Sequence, residues 1–323
     1  MTSDEVQREL RSAGVRRVSI HEPMSRHTSW KVGGPADYFC VVEEEGHLRA
    51  ALRVAREHGL PWLVLGGGYN VLVADEGVEG LVISNRLRGL RIEDAQSEPY
   101  LDCGAGVFFA RAAQETARRG FAGMEWGISI PGTVGGGVVN NAGAHWSDVA
   151  RALIHATILD EEGESVTLSS TDLTYRYRQS ALKKPHSTRS HQVVTGCRFR
   201  LERDDPSAVL GRLDELLDHR IRTQPVKEAS AGSTFKNPPG ASAGALIERA
   251  GLKGFRLGGA QIAPLHANFL LNTGGATADD IIQLMRLAQK RVRAMFDVQL
   301  EPEVQFIGRW PDDLLQSVLH DAA

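Results

Sequence analysis

The chain has 323 residues, 42% of them hydrophobic and 24% charged, with 37 basic against 40 acidic side chains and a net charge of -3. That length can bury the cores of two or three domains, and the near balance of charge excludes a surface built for nucleic acid, so any anionic ligand must be met locally. Cys40, Cys103 and Cys197 are odd in number and far apart, no apolar run approaches a membrane span, and no signal-peptide core opens the chain, so a cytoplasmic protein with free thiols and no membrane partner is expected.

Thr2 and Glu5 have capping-box spacing ahead of Val6 and Leu10, which predicts a short opening helix. Tyr38 to Val42 reads as a strand. Leu48, Leu52 and Ala55 line a helix stopped by Gly59, and residues 61–65 and 81–84 read as further strands. Residues 100–103 are strand-like, and a helix carrying Phe108, Ala112 and Thr116 runs to Gly120. A hairpin of residues 152–159 and 165–168 turns at residues 160–163, and residues 192–201 alternate as a strand. Asp205 and Pro206 open a helix whose expected buried stripe is Leu210, Leu213, Leu217 and Ile221. Ala245, Leu246 and Arg249 sit on a helix closed by Gly251, and residues 268–271 form a short strand. Thr277 caps a long helix with Asp279 and Asp280 in its first turn and Ile281, Met285, Ala288, Val292 and Phe296 on one face; residues 298–307 are expected to close as a strand.

Two glycine-rich stretches interrupt this pattern. Residues 127–144, GISIPGTVGGGVVNNAGA, hold six glycines and no charged side chain. Glycine's entropy cost and proline's missing donor argue against a helix or a central strand there. Such a run offers bare backbone N–H groups to a polyphosphate. The second stretch, Gly66-Gly67-Gly68-Tyr69-Asn70, follows the apolar run 62–65, and two cradles in one chain suggest a dinucleotide. Neither fits the Gly-x-Gly-x-x-Gly template, since Val71 and Asn140 stand where glycine is needed, and no P-loop is present. Among the histidines only His186 and His191 fall close together, in a basic loop that reads as solvated, so no metal site is expected.

Residues 28–37 (TSWKVGGPAD), 65–72 (LGGGYNVL) and 130–136 (IPGTVGG) resemble the FAD-binding half of the UDP-N-acetylenolpyruvoylglucosamine reductase family. The resemblance continues through 177–180 (YRQS), 231–238 (AGSTFKNP), 251–254 with 258–260, 266–269 (HANF) and 300–304 (LEPEV), in family order along nearly the whole chain. It implies an α+β architecture: a vanillyl-alcohol-oxidase/PCMH-type FAD-binding fold of two α+β subdomains, residues 1–86 and 87–205, then a smaller α+β substrate-binding domain, 206–310, and a tail, 311–323. The short 180–192 loop, with no tyrosine, resembles the family's shorter class. Also implied are an oxidoreductase with non-covalent FAD, NADPH as reductant, UDP-N-acetylglucosamine enolpyruvate as substrate, UDP-N-acetylmuramate for peptidoglycan as product, and a monomer.

By residue type alone Ser233 is a turn serine, Arg178 a surface arginine, and Glu301 and Glu303 outward positions of a strand. The resemblance implies that Ser233 is the proton donor and that Arg178 and Glu303 stabilise the enolate, Glu303 donating from its protonated form. It places cofactor contacts at Gly66, Gly67, Gly68, Tyr69, Asn70, Ile130, Pro131, Gly132, Thr133, Gly135, Gly136, Asn141 and Gly143, and substrate contacts at Tyr177, Lys236, Asn237 and His266. Tyr69, residues 137–140 (GVVN), His145-Trp146, Gln179 and Gln305 depart from the common pattern. Another flavin-dependent oxidase or dehydrogenase of the same fold, and a non-catalytic nucleotide-binding module, remain as alternatives.

Overall fold

The computed structural model describes residues 3–15, 17–94, 98–145, 147–160, 163–183 and 192–319; Thr2, Trp146, the turn residues Glu161 and Glu162, and the loop with His186 and His191 lie outside them. Contacts divide the chain into unit 1, residues 1–20, 38–67 and 80–220, and unit 2, residues 21–37, 68–79 and 221–323.

In unit 1, helix α1 (Ser3–Ser12) buries Val6 and Leu10, the two positions that its period selects. Helix α2 (Glu45–Glu57) buries Leu48, Ala51, Leu52, Val54 and Ala55, and the chain leaves it through Gly59 at φ 62°, a left-handed turn that glycine adopts without a Cβ penalty. These side chains share a core with Leu81 and Ile83. A four-stranded sheet runs in the order Arg17–Pro23, Pro35–Val42, Val78–Asn85, Trp62–Leu65, so that the last strand delivers Gly66 at its carboxyl end. The first of these strands carries too weak an alternation to stand out in the sequence.

A five-stranded antiparallel sheet follows, in the order Ser165–Ser169, Leu153–Leu159, Val193–Arg200, Tyr100–Gly104, Leu90–Glu93. It contains the expected hairpin, with Leu159 opposite Ser165. Helix α3 (Phe109–Arg118) starts one residue later than expected, with Phe108 at its cap.

The glycine-rich stretch corrects an expectation. Residues judged unfit for a helix form one: α4 spans Val134–Asn140. Packing overrides propensity here. A Cβ on Gly135 would stand 2.7 Å from the Ala105 Cβ, and one on Gly137 would stand 2.2 Å from the Phe109 ring. Phe109 is fully buried, its ring centroid 5.4 Å from that of Trp126 and 6.3 Å from that of Phe199. Each glycine forgoes about 1 kcal/mol of helix propensity, and the close approach of backbone to ring and strand end offsets it. After the short α5 (Val149–Ala152), α6 (Pro206–Thr223) begins as expected, the Asp205 carboxylate accepting from Ala208 N at 3.0 Å. Its buried positions are Val209 and Leu213, with Leu210 and Leu217 packed at the edge; Ile221, expected in the stripe, is 47% exposed because the helix outruns its apolar cluster.

Unit 2 holds a three-stranded antiparallel sheet, Arg256–Leu257, Ala260–Ile262 and Leu270–Asn272, and a parallel pair, Gln305–Ile307 with Val71–Val73. Helices α7 (Ala243–Arg249) and α8 (Ala278–Phe296) pack on its core, α8 burying Ile281, Met285, Ala288 and Val292 as its spacing requires. The α8 amino terminus has its free donors met. Thr277 and Asp280 form the reciprocal capping box, and the Asp75 carboxylate accepts from Ala278 N at 2.9 Å and Asp279 N at 3.1 Å.

Residues 298–307 are a strand only at Gln305–Ile307, since Pro302 cannot donate to a ladder. A further helix, α9 (Asp312–Leu319), occupies the stretch expected as a tail, with Val318 buried and its carbonyl accepting from Gln289 Nε2 at 2.9 Å.

Gly137→Ala forces a methyl group against a buried ring and should cost about 1–3 kcal/mol. Gly136→Ala, where a Cβ would meet nothing nearer than the Thr133 hydroxyl at 3.7 Å, should be neutral or stabilising by up to about 1 kcal/mol. Thermal unfolding of the two variants side by side checks this; equal melting temperatures would contradict the packing account of α4.

Candidate active site

In unit 1 the two glycine stretches meet. The strand Trp62–Leu65 ends where Gly66 approaches the residue before α4, so closely that a Cβ on Gly66 would lie 2.3 Å from Thr133 Oγ1. Gly132 makes the turn into that helix at φ 104°, between Ile130-Pro131 and buried Thr133. Gly66 and Gly67 are partly exposed and Gly136, in the first turn of the helix, is exposed, which leaves backbone without side chains along both stretches. A side-chain-free surface on adjoining turns is what the pyrophosphate of a dinucleotide needs, so the residues fit FAD. Gly135 serves packing instead, its N–H donating to Ala105 O at 2.9 Å.

Asn141, expected at the cofactor, is 4% exposed with φ 46°. Its amide is engaged within the protein: Oδ1 accepts from Ala150 N and Nδ2 donates to Arg176 O, each at 3.0 Å. Gly143 O accepts from Arg178 Nη2 at 3.3 Å. Arg178 is the third residue of a tight turn closed by hydrogen bonds between Arg176 and Gln179 in both directions, and its φ is 56°. That left-handed conformation costs a residue other than glycine roughly 1 kcal/mol. Beside it Tyr177 is 54% exposed, with the Arg178 guanidinium 5.3 Å from its ring centroid. Nearby in the stretch, Ser129 Oγ and His145 Nε2 lie 2.7 Å apart, with the ring of His219 edge-on to His145; burial and that second histidine push the His145 pKa down.

In unit 2, Ser233, Lys236 and Glu303 belong to one backbone ladder. Residues 233–236 run between residues 268–269 on one side and 301–303 on the other: Thr234 N donates to Asn268 O at 2.8 Å, Glu303 N to Thr234 O at 2.8 Å, and Lys236 N to Glu301 O at 2.9 Å. Asn268, 3% exposed, holds both polar groups of fully buried Phe235, Oδ1 accepting from its N at 2.9 Å and Nδ2 donating to its O at 2.8 Å. Gly232 enters this segment at φ 86° with open space where a Cβ would be. Glu303 is held from a third direction. Asn70, at φ 57°, donates from Nδ2 to Glu303 O at 3.2 Å and accepts at its own carbonyl from Gln305 N at 3.0 Å. Gly68 belongs to the same support, because a Cβ there would strike His27 O, and Ser29 N donates to Gly68 O at 2.9 Å. Tyr69 between them is 38% exposed.

The substrate candidates of this unit differ in how they are held. Lys236 is paired with the carboxylate of Glu301, a residue to which sequence reasoning gave no role because the partners are far apart in the chain. Asn237 Oδ1 accepts from Ala243 N at 3.0 Å, securing the start of α7. The His266 ring lies edge-on to Phe269 at 4.9 Å, and Nδ1 accepts from Asn268 N at 3.2 Å, which leaves Nε2 as the protonated nitrogen. Gly244 of α7 admits the ring, since a Cβ there would stand 2.9 Å from it. Burial pushes the His266 pKa below its ordinary value.

Among the described residues no three His, Cys, Asp or Glu side chains gather as a metal site, no helix is long and apolar enough to cross a membrane, and Cys40, Cys103 and Cys197 are free and buried.

Residues 36–169 match the FAD binding domain family, and residues 224–307 match the C-terminal domain of UDP-N-acetylenolpyruvoylglucosamine reductase. The chain is similar to the UDP-N-acetylenolpyruvoylglucosamine reductase of Chloroflexus aggregans, 42% identical over 287 residues that cover 89% of this chain and 96% of the relative. It is 36% identical to that of Bacillus licheniformis over 307 residues, 94% of this chain and 99% of the relative. The crystal structure of UDP-N-acetylenolpyruvylglucosamine reductase from Thermus caldophilus matches at a TM-score of 0.73 and 34% identity, covering 92% of this chain and 100% of that one.

Asn268→Ala removes two buried hydrogen bonds and leaves Phe235 N–H and C=O unmet, at an expected cost of about 2–4 kcal/mol by denaturant unfolding; a loss below about 1 kcal/mol would show that the clamp is dispensable. For His266, whose folded pKa is depressed, the unfolded chain takes the proton first, so stability is complete above 6.5 and is lost as pH falls through and below it. Melting curves from pH 8 to 5 should fall less steeply for His266→Gln than for the parent; parallel curves would contradict the assignment.

Proposed function

The chain belongs to the UDP-N-acetylenolpyruvoylglucosamine reductase family, and from that premise we propose how its own residues carry the reaction. The α+β flavoprotein architecture implied by the resemblance holds, and the enzyme is an FAD oxidoreductase of peptidoglycan synthesis that reduces UDP-N-acetylglucosamine enolpyruvate to UDP-N-acetylmuramate. FAD, when bound without a covalent link and replenished by NADPH, would supply the hydride taken by the terminal carbon of the enol ether.

Ser233 Oγ–H gives the proton to the neighbouring carbon, the one that bears the carboxylate. A serine hydroxyl is a poor acid, so it needs a fixed position next to that carbon. The observation that carries the reading is the ladder of unit 2, in which Glu303 N donates to Thr234 O at 2.8 Å while Asn268 clamps Phe235, so that Ser233 and Glu303 are set on adjacent, braced segments. Glu303, in its protonated form, donates to the substrate carboxylate, and the planar fork of Arg178 follows that carboxylate as it gains enolate character.

Gly66, Gly67, Gly68, Tyr69 and Asn70 with Ile130, Pro131, Gly132, Thr133, Gly136 and Gly143 would hold the cofactor, Gly135 packing behind them; Tyr177, Lys236, Asn237 and His266 carry the substrate, Lys236 exchanging Glu301 for a phosphate oxygen. On this reading residues 1–86 and 87–205 form the cofactor-binding subdomains and 206–310 the substrate domain, in keeping with the two family matches at 36–169 and 224–307. The enzyme works as a monomer in the cytoplasm, a reducing compartment that suits three buried free thiols.

Ser233→Ala should leave flavin reduction by NADPH within about twofold and slow reoxidation by UDP-N-acetylglucosamine enolpyruvate by about 100-fold or more. Stopped-flow absorbance of each half-reaction separates the two. A parallel fall in both would contradict the proton-donor role.

A further inference from the structure

We propose that Asn141 and Ser180 are positioning residues for Arg178, fixing its turn onto the segment that leaves α4. The proposal deepens the reading of Arg178 given above and rests on it for the catalytic consequence.

Arg176 and Gln179 exchange both backbone hydrogen bonds, at 3.1 and 3.0 Å, so Tyr177 and Arg178 are the central residues of a tight turn. At φ 56°, Arg178 occupies the region that favours glycine, and an arginine stays there only where its surroundings determine it. Lys183 Nζ donates to Arg178 O at 3.1 Å, and three further contacts tie the turn to residues 139–143. Asn141 Nδ2 donates to Arg176 O at 3.0 Å, Ser180 Oγ donates to Val139 O at 2.6 Å, and Arg178 Nη2 itself donates to Gly143 O at 3.3 Å. The anchor is firm. Asn141 is 4% exposed, takes the left-handed conformation that closes α4, and is held at its other end by Ala150 N. Ser180, also buried, accepts in addition from Leu182 N at 3.2 Å, which stiffens the chain leaving the turn.

The turn cannot swing without breaking partly buried hydrogen bonds, and the guanidinium is tied to the same segment through Gly143 O. With both ends of its amide engaged by backbone, Asn141 acts through Arg178. A fork that must track a carboxylate through a change of charge distribution loses its effect on a small rotation, so loosening this brace should tell on the substrate half-reaction.

The test uses Ser180→Ala and Ser180→Thr in the full-length, flavin-loaded protein, alone and combined with Arg178→Ala, together with Asn141→Asp, which removes the Nδ2 donor and keeps the acceptor. Three quantities are read: hydrogen exchange at the Arg176 and Gln179 amides, flavin reduction by NADPH, and reoxidation by UDP-N-acetylglucosamine enolpyruvate at saturation. Ser180→Ala and Asn141→Asp should each speed exchange at those amides by about tenfold. Ser180→Ala should keep flavin reduction within about twofold and slow reoxidation by about tenfold, with Ser180→Thr restoring the rate and no further loss on the Arg178→Ala background. Unchanged exchange in both variants, a reoxidation loss that multiplies undiminished on Arg178→Ala, or an equal fall in both half-reactions would overturn the proposal. Faster exchange together with an Arg178→Ala enzyme that reoxidises normally would leave the positioning in place and sink the catalytic reading of Arg178 instead.

Discussion

The buried amide of Asn268 grips the N–H and the C=O of Phe235, and the placement of Ser233 depends on that grip. Ser233 follows Gly232, whose positive φ and open surroundings give the backbone no rigidity of its own. For the proton-donor role proposed for Ser233, a weakly acidic hydroxyl needs a fixed position, and the stiffness has to come from the downstream side. It comes from the clamp at Phe235, from Thr234 bonded to Asn268 and Glu303 on its two sides, and from Lys236 bonded to Glu301. Asn70 extends the same bracing to Glu303, which explains why an asparagine at the end of a glycine turn takes a left-handed conformation there: both its carbonyl and its side chain are used.

Unit 1 solves a related problem with glycine. At Gly135 and Gly137 the missing Cβ lets a helix lie against Ala105 and the buried ring of Phe109, while at Gly66 and Gly136 it leaves backbone uncovered near Thr133. One short helix therefore joins three tasks. Its inner face packs, the turn before it offers bare backbone suited to a pyrophosphate, and the chain beyond it holds the arginine turn through Asn141 and Gly143. Helix α4 links the glycine-rich turn before it to the Arg178 turn within a single folded unit.

What could be read from the sequence was what local chemistry determines. Helices α2 and α8 show their apolar faces and their stops or caps in consecutive residues, and the hairpin around residues 160–163 shows alternation with an acidic turn. Helix α4 was illegible because its glycines answer to Phe109, far upstream, and local propensity points the other way. The left-handed Arg178 carries no signal either, since arginine is not a residue that seeks that region. Pro302 was visible, yet only the ladder with residues 234–236 shows that the chain around it runs extended without becoming a strand before Gln305. The motifs single out Ser233, Arg178 and Glu303 as candidates by resemblance, while the groups that brace or neutralise their neighbours, Asn268 and Glu301, emerge only from contacts between distant segments.

The chain carries out a flavin-mediated reduction whose second half takes an enolpyruvyl UDP-sugar. Visible absorption of the purified protein under anaerobic conditions tests it most directly. NADPH should bleach the flavin bands, and adding UDP-N-acetylglucosamine enolpyruvate should restore them in one-to-one proportion while an anaerobic buffer control stays bleached. Bands that return with oxygen and not with that substrate would contradict the account, as would a protein that shows no flavin bands after FAD is added and the excess removed.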